Sequence, residues 1–488
     1  MNNYLIMLPI ILPILVGLFI GVSSIEDVKT IRWTSAIAVI LNTIALIPIL
    51  GSNQQLDLIN INGMLSISFR ADEITKIFTL FISCIWIFVT FYSFEYMSHE
   101  GGEKRFFAFM TATLGAVIGL GFAKNLFTMY LMYEGMTLLS FPLVMHSLSK
   151  DAIKAGIKYI AYSLTGGALV LLSIFVLYHN APTLDFTPGG VLDIAKLGSK
   201  TNTMLIFYAL AFFGFGSKAG MFPLHAWLPT AHPVAPSPAS ALLSGIITKA
   251  GVLGIIRMTF YIFGAKLIKG TWVQTFLIAT TLITVFMGSM LAFRENHLKK
   301  RLAYSSVSQV SYILFGIILL NADGFTGSIL HILAHAFIKN TLFLCAGAII
   351  YKTHHVYVDE LKGIGKEMPI TMWCFTIASL GLIGIPPLSG FVSKYYLAMG
   401  GLETNTILGT AGVAILLISA LLTAGYLLPI IINGFFPGAD YDYSKLEKRE
   451  VSSYMTVPML MLTVPTFLIG MFPNEIVNFI VNITKVIF

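Results

Sequence analysis

Apolar runs long enough to cross a bilayer follow one another along the whole chain, separated by short polar segments. A helical crossing needs about 20 mostly apolar residues, and about fourteen stretches meet that pattern. They lie near residues 3–21, 31–51, 74–95, 106–122, 125–146, 155–178, 203–221, 238–262, 272–293, 302–320, 326–351, 369–399, 405–433 and 454–472. The runs are continuous rather than alternating, which points to helices and away from a closed barrel. The pattern therefore predicts an all-α polytopic membrane protein. Segment 4–20 has no basic stretch before it and no convincing small-residue cleavage site after it, so it reads as a retained span. The tail, 474–488, has the amphipathic pattern of a surface-lying helix. The longest connections, 52–72 and 180–201, are too short to fold as domains.

Two of these runs are interrupted. The seventh enters Gly220-Met221-Phe222-Pro223 and then a segment dense in proline, with Pro229, Pro233, Pro236 and Pro238. The twelfth contains Gly384-Ile385-Pro386-Pro387, with Gly390 close behind. Irregular backbone at membrane depth survives only where protein or trapped water satisfies it. Paired interruptions in the two halves of a chain mark an internal repeat of the transporter kind; the plainer alternative is two proline kinks.

Composition agrees: 56% of residues are hydrophobic and 11% charged, against about 25% charged in soluble domains. The net charge of +7 reflects loop lysines and arginines rather than a nucleic-acid surface. With fourteen spans and the N-terminus outside, the inward loops carry Lys29, Arg32, Lys104, Arg105, Lys150, Lys154, Lys158, Arg294, Lys299, Lys300, Arg301, Lys352, Lys362, Lys366, Lys445, Lys448 and Arg449. The outward loops carry the shorter set Arg70, Lys76, Lys124, Lys196, Lys200, Arg257, Lys266 and Lys269. The excess of inward charge places both termini on the outer side of the plasma (inner) membrane. Cys84, Cys345 and Cys374 fall inside apolar runs without metal-ligand spacing and read as packing residues.

Lys218, Lys249, Lys339 and Lys394 remain, all within predicted spans, together with the one mid-span acid, Glu134. A charge at the bilayer centre costs about 2.5–3.5 kcal/mol on insertion scales, so the set costs on the order of 10 kcal/mol. Packing alone does not ask for them. Snorkelling to the interface is the alternative; it suits Lys394, nearer a span end, better than the mid-span Lys249 or Lys339. His331, His335 and Lys339 stand at i, i+4 and i+8, on one helical face. Imidazole takes a proton on one nitrogen and gives one from the other, and desolvation brings a lysine's two protonation states within reach of neutral pH. That face therefore suits a proton wire. The spacing also suits zinc, but no carboxylate or thiol is placed to complete a metal site. His225 and His232 lie around the first interruption and are expected to line its opening.

These residues sit in recognisable words. Phe215-Gly216-Ser217-Lys218 leads through Phe222-Pro223-Leu224-His225-Ala226-Trp227-Leu228-Pro229 to Ala231-His232 and Ala235-Pro236. Gly245-Ile246-Ile247-Thr248-Lys249 follows, then Arg301-Leu302-Ala303-Tyr304-Ser305-Ser306-Val307-Ser308-Gln309. His335-Ala336-Phe337-Ile338-Lys339 and Gly384-Ile385-Pro386-Pro387-Leu388-Ser389-Gly390-Phe391-Val392-Ser393-Lys394 complete the set. Over most of its length the chain resembles the antiporter-like subunits of respiratory complex I, of Mrp-type Na⁺/H⁺ antiporters and of membrane-bound hydrogenases.

The resemblance implies two inverted five-helix repeats, each with a broken helix, around Pro223 and around Pro386 and Pro387. The units would be 1–105, 106–265 (helices 4–8), 266–435 (helices 9–13) and 436–488. It also implies roles: Glu134 paired with Lys218 across a first half-channel, Lys249 as central relay, and His331, His335 and Lys339 carrying the charge to Lys394 near a second. The M-type member of complex I carries glutamate at the position of Lys394, and the L-type and large Mrp members carry long C-terminal extensions. A D-type Mrp or N-type member, or the hydrogenase counterpart, is left, and Leu139-Ser140-Phe141-Pro142-Leu143 leans to the D-type. No flavin, haem or iron–sulfur motif appears, so redox cofactors are expected in partner subunits, including paralogous and small membrane subunits. The lysine row favours H⁺ over Na⁺, with a sodium path left open in a neighbour. Rival readings are the D-type component of an Mrp antiporter with no redox partner, a stand-alone carrier of an organic solute, and a structural scaffold.

Overall fold

In the computed structural model, which describes residues 3–438, 441–442 and 447–488, helices occupy each of the predicted apolar stretches. The first six are α1 (Leu8–Val22), α2 (Val28–Leu50), α3 (Glu73–Glu100), α4 (Glu103–Phe122), α5 (Leu126–Val144) and α6 (Lys150–Asn180). The seventh stretch is two helices, α7 (Thr201–Ala219) and α8 (Leu228–Val234). There follow α9 (Ser237–Phe263), α10 (Trp272–Arg294), α11 (Leu298–Ile318) and α12 (Ala322–Thr353). The twelfth stretch is again a pair, α13 (Pro369–Ile383) and α14 (Ser389–Glu403). The chain closes with α15 (Ile407–Phe435), α16 (Ser453–Met471) and the amphipathic α17 (Asn474–Ile487). Among the described residues, ten helices are long and apolar enough to cross a membrane. The protein is an integral membrane protein.

Helix ends follow local chemistry. Asp72, Asn125 and Asn321 accept backbone N–H groups from the first turns of α3, α5 and α12, meeting donors that a helix N-terminus leaves orphaned. Both broken stretches end on a glycine in the left-handed region, Gly220 (φ 82°) after α7 and Gly384 (φ 95°) after α13. A side chain there would strain the backbone, so glycine stops the helix cleanly. The Phe222–Pro223 and Pro386–Pro387 peptides are both cis.

Two helices form the axis of the fold. The most apolar stretches of α9 and α12 are buried on every side, and α9 relaxes into π-helical turns at Leu243–Ile247 and Met258–Phe263. Hydroxyl pairs join helices inside the bundle, as at Ser35–Thr111 (2.6 Å), Ser140–Tyr159 (2.6 Å) and Ser244–Ser306 (2.6 Å). In a medium as apolar as the side chains, such bonds and close backbone approach take over from the hydrophobic effect. Gly166 and Gly214 provide one such approach: a Cβ on Gly166 would lie 2.5 Å from the Gly214 carbonyl oxygen.

Two departures from the sequence pattern matter. The 52–72 connection is a β-hairpin, β1 (Gln55–Asn60) antiparallel to β2 (Ser66–Arg70), held by Lys124, whose ammonium contacts Asp57 (2.9 Å) and Asp185 (3.3 Å). Arg257, Lys299 and Arg301, counted among loop charges, are buried at 1%, 4% and 8% exposure. Hydropathy locates them near span ends, but neighbouring segments fold over them. Lys445, counted with the inward charges, lies outside the described residues.

Candidate functional site

Lys218 sits one turn before the first break, fully buried. Its Nζ donates to the Tyr159 hydroxyl (2.9 Å) and to Ser163 Oγ (2.9 Å), both on α6, and lies 4.4 Å from the centroid of the Tyr159 ring. Trp227 in the linker reaches back across the break to donate to the Ser217 carbonyl (2.8 Å). Glu134, on α5, is half-buried, and its buried Oε1 has no hydrogen-bond partner. Gly167 makes room for that oxygen: a Cβ there would stand 1.9 Å from it. The two charges are electrostatic neighbours, but no ion pair joins them directly among the described residues. The expected pair is thus a carboxylate acting across a gap on an ammonium held by hydroxyls.

Lys249 lies on α9 immediately after the first π-helical turn. Its Nζ donates to the Ser244 carbonyl and meets Nδ1 of His335 at 2.6 Å. This contact joins the two axial helices. Gly245 lets α12 come close, since a Cβ there would lie 1.9 Å from Asn340 Nδ2. Lys218 and Lys249 share no side-chain bond among the described residues. Their helices meet at Gly251, where a Cβ would be 2.5 Å from the Phe215 carbonyl.

The i, i+4, i+8 face of α12 is real and buried. His331 and His335 have ring centroids 6.0 Å apart, and the Nε2 of each is free of a hydrogen-bond partner. His331 Nδ1 pairs with Ser393 Oγ (2.9 Å), and its ring stacks on Tyr312 (5.5 Å, 15°). Lys339 Nζ donates to the Leu302 carbonyl (2.9 Å) and to Ser305 Oγ. Lys394, on α14 beyond the second break, donates to the carbonyls of Leu382 (2.7 Å) and Ile383 (2.8 Å), the last residues of α13. Those carbonyls are the orphaned, negative end of a helix. Its Nζ also lies 5.1 Å from the Tyr312 ring, so Tyr312 bridges Lys394 and His331.

The flanking histidines divide. His225 is half-buried near the first break. His232 is fully buried, stacked on Phe343 (4.6 Å), with neither ring nitrogen bonded; it belongs to the interior, within electrostatic reach of Lys249, Lys299 and Lys339. Among the described residues no cluster of three His, Cys, Asp or Glu side chains is placed to hold a metal ion.

The hydropathy pattern missed three polar features. Lys299 donates to the Ala235 carbonyl (2.6 Å), closing the end of α8 near His232. Arg257 pairs with Asp72 (2.7 Å), clamping α9 to the start of α3. Ser289, Ser308 and Ser419 form a buried hydroxyl cluster (2.5–3.2 Å) beside Tyr312 and Gln309. The serine-rich word from Ser305 to Gln309 was the available signal for the last.

Comparison with known proteins gives the family. Residues 123–423 match a family model described as NADH:quinone oxidoreductase/Mrp antiporter, and residues 59–107 match the N-terminal model of complex I chain 5. Hydrogenase-4 component B of Escherichia coli is 31% identical over 83% of this chain, which spans 62% of that protein. The N-type component of the NADH-quinone oxidoreductase of Desulforudis audaxviator is 30% identical over 78% of this chain and 76% of its own length. The D-type component of the Na⁺/H⁺ antiporter of Bacillus subtilis is 28% identical over 89% of this chain and 87% of its own. In fold, the chain superposes on a chain of the Mrp complex from Dietzia sp. DQ12-45-1b with a TM-score of 0.85 at 23% identity, covering 100% and 98% of the two chains. A chain of respiratory complex I from Thermus thermophilus gives 0.82 at 19%, covering 99% and 100%. The protein belongs to the family of antiporter-like membrane subunits shared by complex I, membrane-bound hydrogenases and Mrp antiporters.

Proposed function

We propose that this chain translocates protons as one membrane subunit of a redox-driven assembly, relaying them laterally between two half-channels. One observation carries the reading: the 2.6 Å contact between Lys249 and His335 joins the two buried axial helices in the middle of the charged row. The row then runs Glu134, Lys218, Lys249, His335 and His331, and Lys394, with Lys339 one turn beyond His335.

Each member has a distinct task. Lys218 takes a proton at the first break, where Glu134 tunes its charge without seizing it. At an effective dielectric of 20 a carboxylate and an ammonium attract by about 4 kcal/mol at about 4 Å and by less across a wider gap, so a modest movement of Glu134 shifts where the proton prefers to sit. Lys249 receives it, and the imidazoles pass it along α12. Lys394 accepts it against the C-terminal carbonyls of α13. Energy enters from outside: this chain contributes no redox cofactor, and the electron-transfer chemistry belongs to partner subunits. In this scheme the chain crosses the membrane fourteen times with both termini outside, and 106–265 and 266–435 are inverted repeats.

The test is Lys249→Ala in the assembled complex in closed vesicles, read with a pH-sensitive dye while the driving reaction runs. Acidification should vanish while co-purification of the subunits persists. Wild-type acidification would overturn the relay.

A further inference from the structure

At one rim of the bundle a cavity of about 880 Å³ opens between α1, α2 and α4, with Leu139 of α5 at its side. One wall is apolar and includes Leu18, Ala108, Ala112 and Leu139. Its mouth is charged in both signs. Lys104 and Arg105 stand on one side, and neither meets a carboxylate among the described residues. Main-chain oxygens hold them instead: Lys104 donates to the Ser23 carbonyl, and Arg105 Nη2 to the His146 carbonyl. Arg105 Nε is buried and unbonded. Beside them α4 begins at Gly102, which offers no side-chain cap, so the first-turn N–H groups add positive potential. Glu103, in the same turn, is neutralised by a bidentate pair with Arg32 (2.7 and 2.8 Å). Glu26 is a carboxylate at the same mouth with no partner among the described residues.

We infer that this cavity is a site for one phospholipid bearing a primary amine. The phosphate lies against Lys104, Arg105 and the start of α4; the ammonium meets Glu26; an acyl chain follows the apolar wall. Two cations without a carboxylate partner and an unpaired acid at one mouth match in sign the phosphate and the amine of such a headgroup. A wholly anionic lipid would leave its negative charge facing Glu26, and an apolar partner helix would bury Lys104, Arg105 and Glu26 without counter-charges, which is costly.

The full chain, extracted with whatever subunits accompany it, would be exchanged into nanodiscs of palmitoyl-oleoyl phosphatidylethanolamine, phosphatidylcholine and phosphatidylglycerol, then read by native mass spectrometry. Wild type should retain the ethanolamine lipid in preference to the other two. The double variant K104Q/R105Q should lose that retained mass, and Glu26→Gln should lose the preference for the amine while keeping a bound phospholipid. Equal retention of all three lipids by wild type, or undiminished retention by K104Q/R105Q, overturns the inference. A photo-reactive side chain at Leu18, half-exposed at the cavity, tests the same claim without touching the charges. It should cross-link to lipid; an adduct with a protein subunit, or none, overturns the site.

Discussion

The two breaks share one backbone device and hold their lysines in opposite ways. Each ends a helix on a left-handed glycine and continues through a cis proline peptide. At the first, Lys218 rests on the side-chain hydroxyls of Tyr159 and Ser163, with Glu134 acting from a distance. At the second, Lys394 is bound by two main-chain carbonyls at the end of α13, and no carboxylate pairs with it among the described residues. Hydroxyls can turn and re-pair; carbonyls at a helix end cannot. In the proposed relay the first break is therefore the one open to modulation and the second the one with a fixed preference.

The largest effect should come from removing either ammonium. Lys218→Met and Lys394→Met should both abolish vesicle acidification, but they should differ in stability. The Tyr159 hydroxyl keeps Ser140 as partner when Lys218 goes, whereas Leu382 and Ile383 lose the donor they share. Thermal unfolding of the purified complex should show Lys394→Met the less stable by about 1–3 kcal/mol, the cost of leaving such groups unpaired. Equal stability would erase the contrast between the breaks.

Acid tests a region remote from both breaks. At the N-terminus of α3, burial pushes the Asp72 carboxyl up, but Arg257 outweighs it and holds the group at about 2, below its ordinary 3.8. A lowered native value means the stabilisation is complete above about pH 4 and is lost as pH falls through about 2, amounting to ~2 kcal/mol. Asp72→Asn should abolish that part of the acid dependence in unfolding experiments.

Finer effects separate the breaks further. Gly167→Ala places a methyl where Glu134 Oε1 now sits, so it should slow pumping as Glu134→Gln does, with no added loss in the double variant. Ser393→Ala removes the bond to His331; at about 1 kcal/mol for one hydrogen bond the pumping rate should fall about fivefold, and Ser393→Thr should restore most of it.

Much of this was legible in the chain. Apolar run lengths located the helices, Gly-x-x-Pro words located the breaks, and i, i+4 spacing placed His331, His335 and Lys339 on one face. Pairing across space was not. Nothing in one dimension says that Lys249 meets His335 rather than Lys218, or that Glu134 stops short of Lys218. Arg257, Lys299 and Arg301 looked like loop charges because hydropathy registers span ends and is blind to segments that fold back over them. The hairpin at 55–70 carried a signal, Asn62-Gly63 between two alternating runs, that a reading for long apolar stretches passes over.

In the proposed relay, protons cross between the halves through the imidazoles of α12. The direct measurement is vesicle acidification by the complex carrying His331→Phe and His335→Phe together, with the driving reaction and subunit content monitored in parallel. Acidification should be lost with every subunit retained. Acidification at the wild-type rate would rule out the imidazole path.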